Sequence, residues 1–249
     1  MKNPIINSPY KEPTRHFKAD ERGISDEIIE SRRPSTRYVS AMPRTRKRDR
    51  QLSMNLAEGA FSAEMQEDNE FINKVRFVIS EWRKKDYHGI TKTSRDLLYY
   101  WQDENRENKL FFCQIEALET LIYINEVAEK AGETWIPNDL RKANEEANPG
   151  LYRLAFKMAT GSGKTVVMAM MIAYHVLNKV RYPHDTRFTD AFAIITPGIT
   201  IRDRLNVLHP NDPQNYYIKR DIVSHQDFEL LQGAVVLVMN YHQMGLRDN

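Results

Sequence analysis

The chain is poor in cysteine and has no long apolar run. Its 249 residues include a single cysteine, Cys113, which excludes an internal disulfide and favours a reducing compartment. The longest apolar stretch, 166–173, falls far short of the ~20 residues that cross a bilayer, and the first residues lack the apolar core of a secretory signal. We therefore expect a cytoplasmic protein without membrane association. We also expect Cys113, which follows Phe111 and Phe112, to be a core thiol.

Metal-ligand spacing and compositional bias are absent as well. The 7 histidines are scattered and form no paired Cys/His pattern, so we predict no structural zinc site. Apolar residues make up 41% of the chain and charged residues 28%, which is ordinary for a folded domain. A chain of this length is expected to form one to two domains.

The small net charge of +2 hides an asymmetry along the chain. Residues 1–50 carry 13 basic and 7 acidic side chains, a net +6, whereas the remainder is net −4. Basic residues on an exposed segment attract the phosphates of nucleic acid without reading sequence. Such a segment is either a DNA-backbone contact or a solvated loop, and the sequence leaves both open. The densest basic cluster consists of Arg44, Arg46, Lys47, Arg48 and Arg50.

The most specific motif is a glycine-rich turn that lies between an apolar stretch and an apolar helix. The stretch 154–158 runs into a turn that ends in Gly163-Lys164-Thr165. This order is typical of a phosphate-binding P-loop. In that role Lys164 would reach the β- and γ-phosphates of ATP, and the Thr165 hydroxyl would bind Mg²⁺. Lys164 and Thr165 are therefore the candidate catalytic pair, and Thr165 is the candidate metal ligand.

The remaining loop residues fit the same interpretation with one departure. Gly161 lets the backbone bend so that several N–H groups point at phosphate oxygens. Thr160 and Ser162 lie at the loop, either as cofactor contacts or only as residues that shape the turn. Met158 stands where the first glycine of the strict pattern is usual. The alternative is a simple strand-to-helix turn that binds nothing.

The segment Met-Ala-Thr-Gly-Ser-Gly-Lys-Thr at 158–165 resembles motif I, the Walker A motif, of superfamily 2 helicases of the DEAD/DEAH-box type, and especially their restriction-enzyme branch. Residues 111–117 resemble the Q-motif, 194–202 resemble motif Ia, and 235–242 look like the strand and turn before the Walker B strand. Their order and spacing are similar to the N-terminal part of a type III restriction endonuclease Res subunit.

The resemblance implies an α/β fold in two regions. Residues 111–249 would form a partial RecA-like P-loop domain, with a parallel sheet and flanking helices. Residues 1–110 would form a basic, partly extended and then mostly helical region. The implied activity is ATP-dependent DNA translocation within a restriction-modification system. The implied partners are double-stranded DNA and the modification (methyltransferase) subunit.

The resemblance also implies roles for residues outside the loop. Gln114 would bind the edge of the adenine ring. Motif Ia would contact the nucleic-acid backbone, with a hydroxyl from Thr200 and a charge from Arg202 or Arg204. An ordinary strand-to-helix turn, with Thr200 as N-cap, remains the alternative. The nucleic-acid candidates are Thr196, Pro197, Gly198, Thr200 and Arg202.

Motifs that a complete motor needs do not occur after Thr165. There is no Asp-Glu-x-His, no second RecA-like domain and no nuclease domain. We therefore expect the N-terminal fragment or a truncated reading frame of a longer enzyme, which binds ATP without turning it over at a helicase-like rate. A catalytically silent nucleotide- or DNA-binding remnant and a fragment of an RNA helicase are the alternatives.

Hydrophobic periodicity predicts the elements that carry these motifs. Helices are expected over 69–84, over 94–101 with Thr93 or Ser94 as cap, and over 111–130. A connecting excursion is expected over 132–150, because it contains glycine, proline and several asparagines. The remaining predicted elements are strand 153–158, helix 164–178, strand 191–195, helix 199–207 and strand 234–239.

The basic cluster gives a prediction about salt dependence. Neutralising Arg44, Arg46, Lys47 and Arg48 together should lower the slope of log affinity for duplex DNA against log salt concentration. The expected decrease is about 0.9 per lost phosphate contact, because each contact releases condensed counterions. Titrations over a range of salt concentrations measure the slope, and an unchanged slope would assign the cluster to a solvated loop.

Overall fold

A computed structural model of the chain describes residues 5–20, 23–40 and 64–244. The basic cluster at 44–50, and residues 52–61 where the sequence suggests a short element, lie outside the described residues. The chain divides into two compact units. The first comprises Met1–Asn7 and Pro13–Ser80, and the second comprises Ser8–Glu12 and Glu81–Asn249.

In its described residues, the first unit contains two antiparallel strand pairs and a helix. Strand β1 (His16–Asp20) pairs with β2 (Gly23–Ile29), and β3 (Thr36–Ser40) pairs with β4 (Glu64–Asp68). Helix α1 (Glu70–Lys84) follows β4 directly, and its last four residues belong to the second unit. The helix predicted over 69–84 is thereby confirmed.

The second unit contains four helices of eleven or more residues among its described residues. They are α2 (Lys92–Gln102), α3 (Phe112–Glu126), α4 (Trp135–Ala147) and α5 (Lys164–Arg181). Helix α5 is the apolar helix that the sequence predicts after the glycine-rich turn. Ala169, Met170, Ala173, Tyr174 and Leu177 along it are fully buried.

A small parallel sheet lies in the last third of the chain. Strand β5 (Ala191–Thr196) pairs in register with β6 (Val235–Asn240), so Thr196 lies opposite Asn240 at the carboxyl ends. Both strands were predicted within one residue. The connection contains α6 (Ile199–Arg204), a 3₁₀ turn (Leu205–Leu208), α7 (Tyr216–Lys219) and α8 (His225–Leu231), and a second 3₁₀ turn (Tyr241–Met244) follows β6.

A buried carboxylate, Glu126, ties α5 to the two helices beside it. Glu126 is 2% exposed. It accepts hydrogen bonds from Thr91 N at 2.8 Å, Ser94 Oγ at 2.5 Å and Tyr174 Oη at 3.0 Å. Asn178 of α5 adds a bond from its Nδ2 to Ser94 Oγ at 3.0 Å. Burial, together with the charge of Glu126, raises the pKa of Tyr174, so its hydroxyl stays protonated and continues to donate.

A second buried carboxylate, Glu119, attaches the end of α1 to α3. Its side chain is fully buried and accepts from Arg83 Nη2 at 2.6 Å, from Arg83 Nε at 2.8 Å and from Tyr87 Oη at 2.6 Å. The Trp82 ring packs edge-on against Tyr87 and Tyr123, with centroids 4.9 and 5.2 Å apart. Apolar packing and a satisfied ion pair therefore coincide at this junction.

Several predictions about elements differ from the structure. Residues 153–158 form no strand, although all of them are described. The segment is instead held at Arg153, whose N and O bond with the Asn144 side chain at 2.8 and 3.0 Å. The Asn144 side chain thus provides the two backbone hydrogen bonds that a neighbouring strand would otherwise make with Arg153. Cys113 is exposed, so the predicted core thiol is wrong.

The helix predictions also differ from the structure at several points. The excursion predicted over 132–150 contains α4, which tolerates Pro137 because that residue lies in its first turn. Thr91 caps α2 by accepting from Ser94 N at 3.1 Å, in place of Thr93 or Ser94. The helix predicted over 199–207 ends at Arg204 and continues as a 3₁₀ turn.

Within the described part of the chain, every helix is too short or too polar to cross a membrane.

The hydrogen bonds to Glu126 predict a large loss of stability when this side chain is removed. Glu126→Ala leaves Thr91 N, Ser94 Oγ and Tyr174 Oη without their acceptor. Each buried unsatisfied group costs about 1–3 kcal/mol, so the free energy of unfolding should fall by about 3 kcal/mol or more. Urea denaturation measures this change.

Glu129→Ala is the matched control, because Glu129 lies near the C-terminal end of the same helix and forms an exposed ion pair with Arg141. Exposed pairs contribute little to stability, so this variant should unfold at nearly the wild-type urea concentration. Equal effects of the two substitutions would show that the bonds to Glu126 do not hold α5 in place.

Candidate functional site

The glycine-rich turn folds as a tight loop at the start of α5. Gly161 and Gly163 both have left-handed backbone conformations, with φ of 81° and 79°. Gly163 is the N-cap residue, so the helix begins directly at Lys164. The first N–H groups of a helix have no partner within the helix. Val166 N already donates to Gly163 O at 2.9 Å, so the glycine-rich backbone lies beside the N–H groups of Lys164 and Thr165 at the helix start.

Lys164 and Ser162 both bond to the same carbonyl within the loop. Lys164 Nζ donates to Ala159 O at 2.8 Å, and Ser162 Oγ donates to the same oxygen at 2.7 Å. Lys164 is exposed. An ammonium group bonds more strongly to an anionic oxygen than to a neutral carbonyl. A phosphate brought to this loop could therefore displace Ala159 O as the acceptor of Lys164.

Gln114, at the start of α3, lies against the loop. It is 4% exposed. Its Oε1 accepts from Phe111 N at 2.9 Å, and its Nε2 donates to Ser162 O at 3.0 Å. The structure thus brings the Q-motif-like residue and the glycine-rich loop into direct contact. Each end of the amide retains capacity for one more hydrogen bond.

The contact between Gln114 and the loop requires glycine at position 163. A Cβ atom added to Gly163 would lie 2.2 Å from Gln114 Nε2. A Cβ added to Gly161 meets nothing within 4 Å. The two glycines therefore differ: Gly161 supplies only a backbone conformation, whereas Gly163 supplies both a conformation and room for Gln114.

A cavity of about 220 Å³ opens beside the loop. Its lining comes from the segment before α3, from the loop and first turn of α5, and from the end of α7. Sequence reasoning did not identify Arg220, at the end of α7, because its only signal is a single basic residue in a surface segment. The lining residues are Asn108, Lys109, Leu110, Phe111, Gln114, Gly163, Val166 and Arg220.

The other two loop candidates differ in exposure. Thr160 is exposed at the turn that precedes Gly161, and Thr165 is half-buried at the second position of α5. Among the described residues, no group of three or more His, Cys, Asp or Glu side chains is arranged to hold a metal ion. A cation at this loop would therefore take most of its ligands from water and from a bound phosphate.

Among the nucleic-acid candidates at the end of β5, Thr196 is buried and the others are more accessible to solvent. Thr196 is 2% exposed, and its hydroxyl lies 3.2 Å from Gly198 O and 3.3 Å from Met239 O, so it ties the ends of β5 and β6 together. Pro197 and Thr200 are exposed. The alternative in which Thr200 caps α6 is wrong, because the N-cap residue is Gly198.

Arg202 is accessible but already paired. Its Nη2 lies 2.8 Å from Asp203 Oδ1, and its Nε donates to the same oxygen at 3.0 Å. Arg204, which the sequence offers as the alternative charge, is exposed. The positive charge available near this strand end is therefore smaller than the sequence suggests, because Asp203 offsets part of it.

A larger cavity, of about 1140 Å³, lies away from the loop. Glu126, Arg141, Asn144, His175 and Arg187 are among its lining residues. Burial lowers the pKa of His175 to about 4, so its ring is neutral at pH 7. None of the residues that the sequence singles out for phosphate or nucleic-acid binding lines this cavity.

Comparison with protein families gives a match over more than half of the chain. The model of a family described as "Type III restriction enzyme, res subunit" matches residues 107–245. The matched range begins just before α3 and extends past β6, so it includes Gln114, the glycine-rich loop and both parallel strands. No curated protein and no solved structure matches the chain.

The two glycines of the loop give a prediction about stability. Gly161→Ala should lower the free energy of unfolding by about 1–2 kcal/mol, because alanine resists a left-handed conformation. Gly163→Ala should cost about 1–2 kcal/mol more, because the buried Gln114 side chain must move and give up its bond to Ser162 O. Urea denaturation of both variants measures the difference. Equal losses would mean that Gln114 shifts without cost and does not constrain the loop.

Proposed function

We propose, from the premise that this chain belongs to the type III restriction enzyme res subunit family, that it binds ATP with Mg²⁺ at residues 159–165 as part of a DNA-translocating motor. The family has an ATP-dependent, helicase-like function in restriction enzymes. The proposal adds the place where this chain holds the nucleotide. The main support for this proposal is the glycine-rich loop at the start of α5, because Lys164 is exposed on it and Gln114 donates a hydrogen bond to it.

The loop has the chemistry that a triphosphate needs. Left-handed Gly161 and Gly163 shape the backbone so that its N–H groups can converge on phosphate oxygens. Lys164 exchanges Ala159 O for the β- and γ-phosphates, which replaces a neutral acceptor with an anionic one. The Thr165 hydroxyl binds the Mg²⁺ ion that neutralises the phosphates. Thr160 and Ser162 complete the cofactor contacts.

The contacts of Gln114 give it a second role beside base recognition. Because its amide bonds to both Phe111 N and Ser162 O, it links the start of α3 to the loop. Its remaining hydrogen-bonding capacity can still meet the edge of an adenine ring. Nucleotide binding and loop geometry are thus coupled through one buried side chain.

We place a DNA contact on the accessible surface after β5. Pro197, Gly198, Thr200 and Arg202 supply backbone, hydroxyl and guanidinium groups for phosphate oxygens. Thr196 supports these residues from the buried strand end. Double-stranded DNA is the proposed substrate, and a modification subunit with methyltransferase activity is the proposed partner.

The proposed architecture is a partial RecA-like domain over 111–249, preceded by a separate region over 1–110. Support comes from the in-register parallel pair β5–β6, from the short helix α6 packed against both strands, and from the position of the loop at the start of α5. Ligands of open α/β sheets bind near the carboxyl ends of the strands, where Thr196 and Asn240 lie.

The proposed phosphate site predicts a ligand-dependent rise in melting temperature. A ligand at a hundred times its dissociation constant stabilises the native state by about 2.7 kcal/mol. For a chain of this size that corresponds to a shift of several degrees, about 2–4 °C per kcal/mol. Millimolar Mg-ATP should produce this rise, and Lys164→Ala should remove most of it. Thermal denaturation with and without nucleotide measures the shift.

Lys157→Ala is the matched control, because Lys157 is an exposed lysine just before the loop. This variant should keep the wild-type response to Mg-ATP. An equal rise in the wild type and in Lys164→Ala would contradict the assignment of the loop as the phosphate site.

A further inference from the structure

The segment Ser8–Glu12 belongs to the second unit, although the residues on both sides of it belong to the first. The Asn7 side chain closes the chain around this segment. Its Oδ1 accepts from Thr14 N at 3.1 Å and from Arg15 N at 3.2 Å, and its Nδ2 donates to Arg15 O at 2.8 Å. The segment is therefore a short loop whose two ends are held together.

The backbone of Ser8–Glu12 caps helix α3. Phe112 is the first residue of α3, and its N–H donates to Pro9 O at 2.8 Å. The first N–H groups of a helix have no acceptor within the helix, so Pro9 supplies one from outside. The Tyr10 ring lies beside the Phe111 ring, with centroids 5.8 Å apart. The segment thus contacts the residues that lie just before Gln114.

An ion pair attaches the same segment through a side chain. Glu12 Oε2 accepts from Arg83 Nη1 at 2.9 Å. The Arg83 guanidinium carbon lies 5.0 Å from the centre of the Phe112 ring, so the ion pair also lies at the start of α3. Arg83 keeps its bonds to Glu119 when the Glu12 side chain is removed. Loss of Glu12 therefore weakens the attachment of the segment without leaving the Arg83 charge unpaired.

We infer that Ser8–Glu12 is a positioning segment for the loop at 159–165, and that its docking on the start of α3 is coupled to triphosphate binding. The inference rests on the proposed function, because it takes the phosphates to lie at that loop. The connection runs from Pro9 O to Phe112 N, and from Gln114 in the same helical turn to Ser162 O. Undocking lowers the fraction of molecules with a binding-competent loop, and the apparent affinity falls with that fraction.

Calorimetric titration of the 249-residue chain with Mg-ATP tests this coupling. Glu12→Ala should raise the dissociation constant about fivefold, as expected when the docked fraction falls to about one fifth. Removal of a carboxylate would by itself favour an anionic ligand, so weaker binding indicates lost docking. Glu27→Ala is the matched control, because it removes one carboxylate from an exposed ion pair with Lys18. This control should bind Mg-ATP with the wild-type affinity.

Variants of Tyr10 and Gln114 test the route of the coupling. Tyr10→Ala should weaken binding as Glu12→Ala does, whereas Tyr10→Phe keeps the ring beside Phe111 and should bind like the wild type. In a Gln114→Ala background, Glu12→Ala should lower the affinity no further, because the connection to Ser162 O is already lost. Additive weakening in that background would overturn the route through Gln114.

Hydrogen exchange supplies a measurement that a purely structural role would not change. A ligand that binds the docked form more tightly must also stabilise docking, by the same factor. Exchange of the Phe112 amide should therefore slow at least fivefold when the chain is saturated with Mg-ATP. The Asn148 amide, which donates to Asn144 O at 2.8 Å at the end of α4, is the control and should not change. An unchanged rate at Phe112, or equal slowing of both amides, would overturn the inference.

Lys164→Ala distinguishes failure of this inference from failure of the proposed function. Loss of Mg-ATP binding in Lys164→Ala, together with wild-type affinity in Glu12→Ala, would keep the phosphate site and refute only the coupling. Failure of the wild type to bind Mg-ATP would refute both.

Discussion

A buried carboxylate at the end of α3, Glu126, is the constraint on which the candidate site depends. The loop at 159–165 has few contacts of its own, so its position follows from that of α5. Glu126 fixes α5 from the side through Tyr174, while its bonds to Thr91 and Ser94 fix the start of α2 at the same point. Gln114, at the other end of α3, then meets the loop directly. Helix α3 therefore holds both the body of α5 and the loop that precedes it.

The same loop satisfies two of its own donors internally. Ala159 O accepts from both Lys164 and Ser162, which gives the loop internal partners for groups that would otherwise be unsatisfied. Those partners are neutral and solvent-accessible, so they are exchanged at low cost when an anion arrives. The bond to Ser162 O comes from the buried Gln114 side chain and is less accessible to solvent, so it persists. The hydrogen bond from Gln114 thus holds the loop in place, whereas the bonds to Ala159 O can be replaced by bonds to an anion.

Local patterns in the sequence were sufficient to predict α5, β5 and β6, because each of these elements is a continuous apolar run that turn residues bound on both sides. They failed where the outcome depends on distant residues. The stretch 153–158 has the composition of a strand, but a strand also needs a hydrogen-bonding neighbour, and Asn144 supplies the only such partner at Arg153 among the described residues. Helix α4 was missed because Pro137 and Gly132 suggest a loop. The nearness of Gln114 to the loop followed from family resemblance, whereas Arg220 at the cavity depends on a tertiary contact that no spacing reveals.

The attachment of Arg153 to Asn144 has a consequence for motion near the site. Arg153 N–H has a defined acceptor, whereas the next five residues make no such backbone bonds within the described part of the chain. Amide hydrogens over 154–158 should therefore exchange with deuterated solvent far faster than those of α5, with one slower amide at Arg153 marking the boundary. Residues 154–158, which lead into the loop, are therefore expected to be flexible, whereas α5, which follows the loop, is rigid.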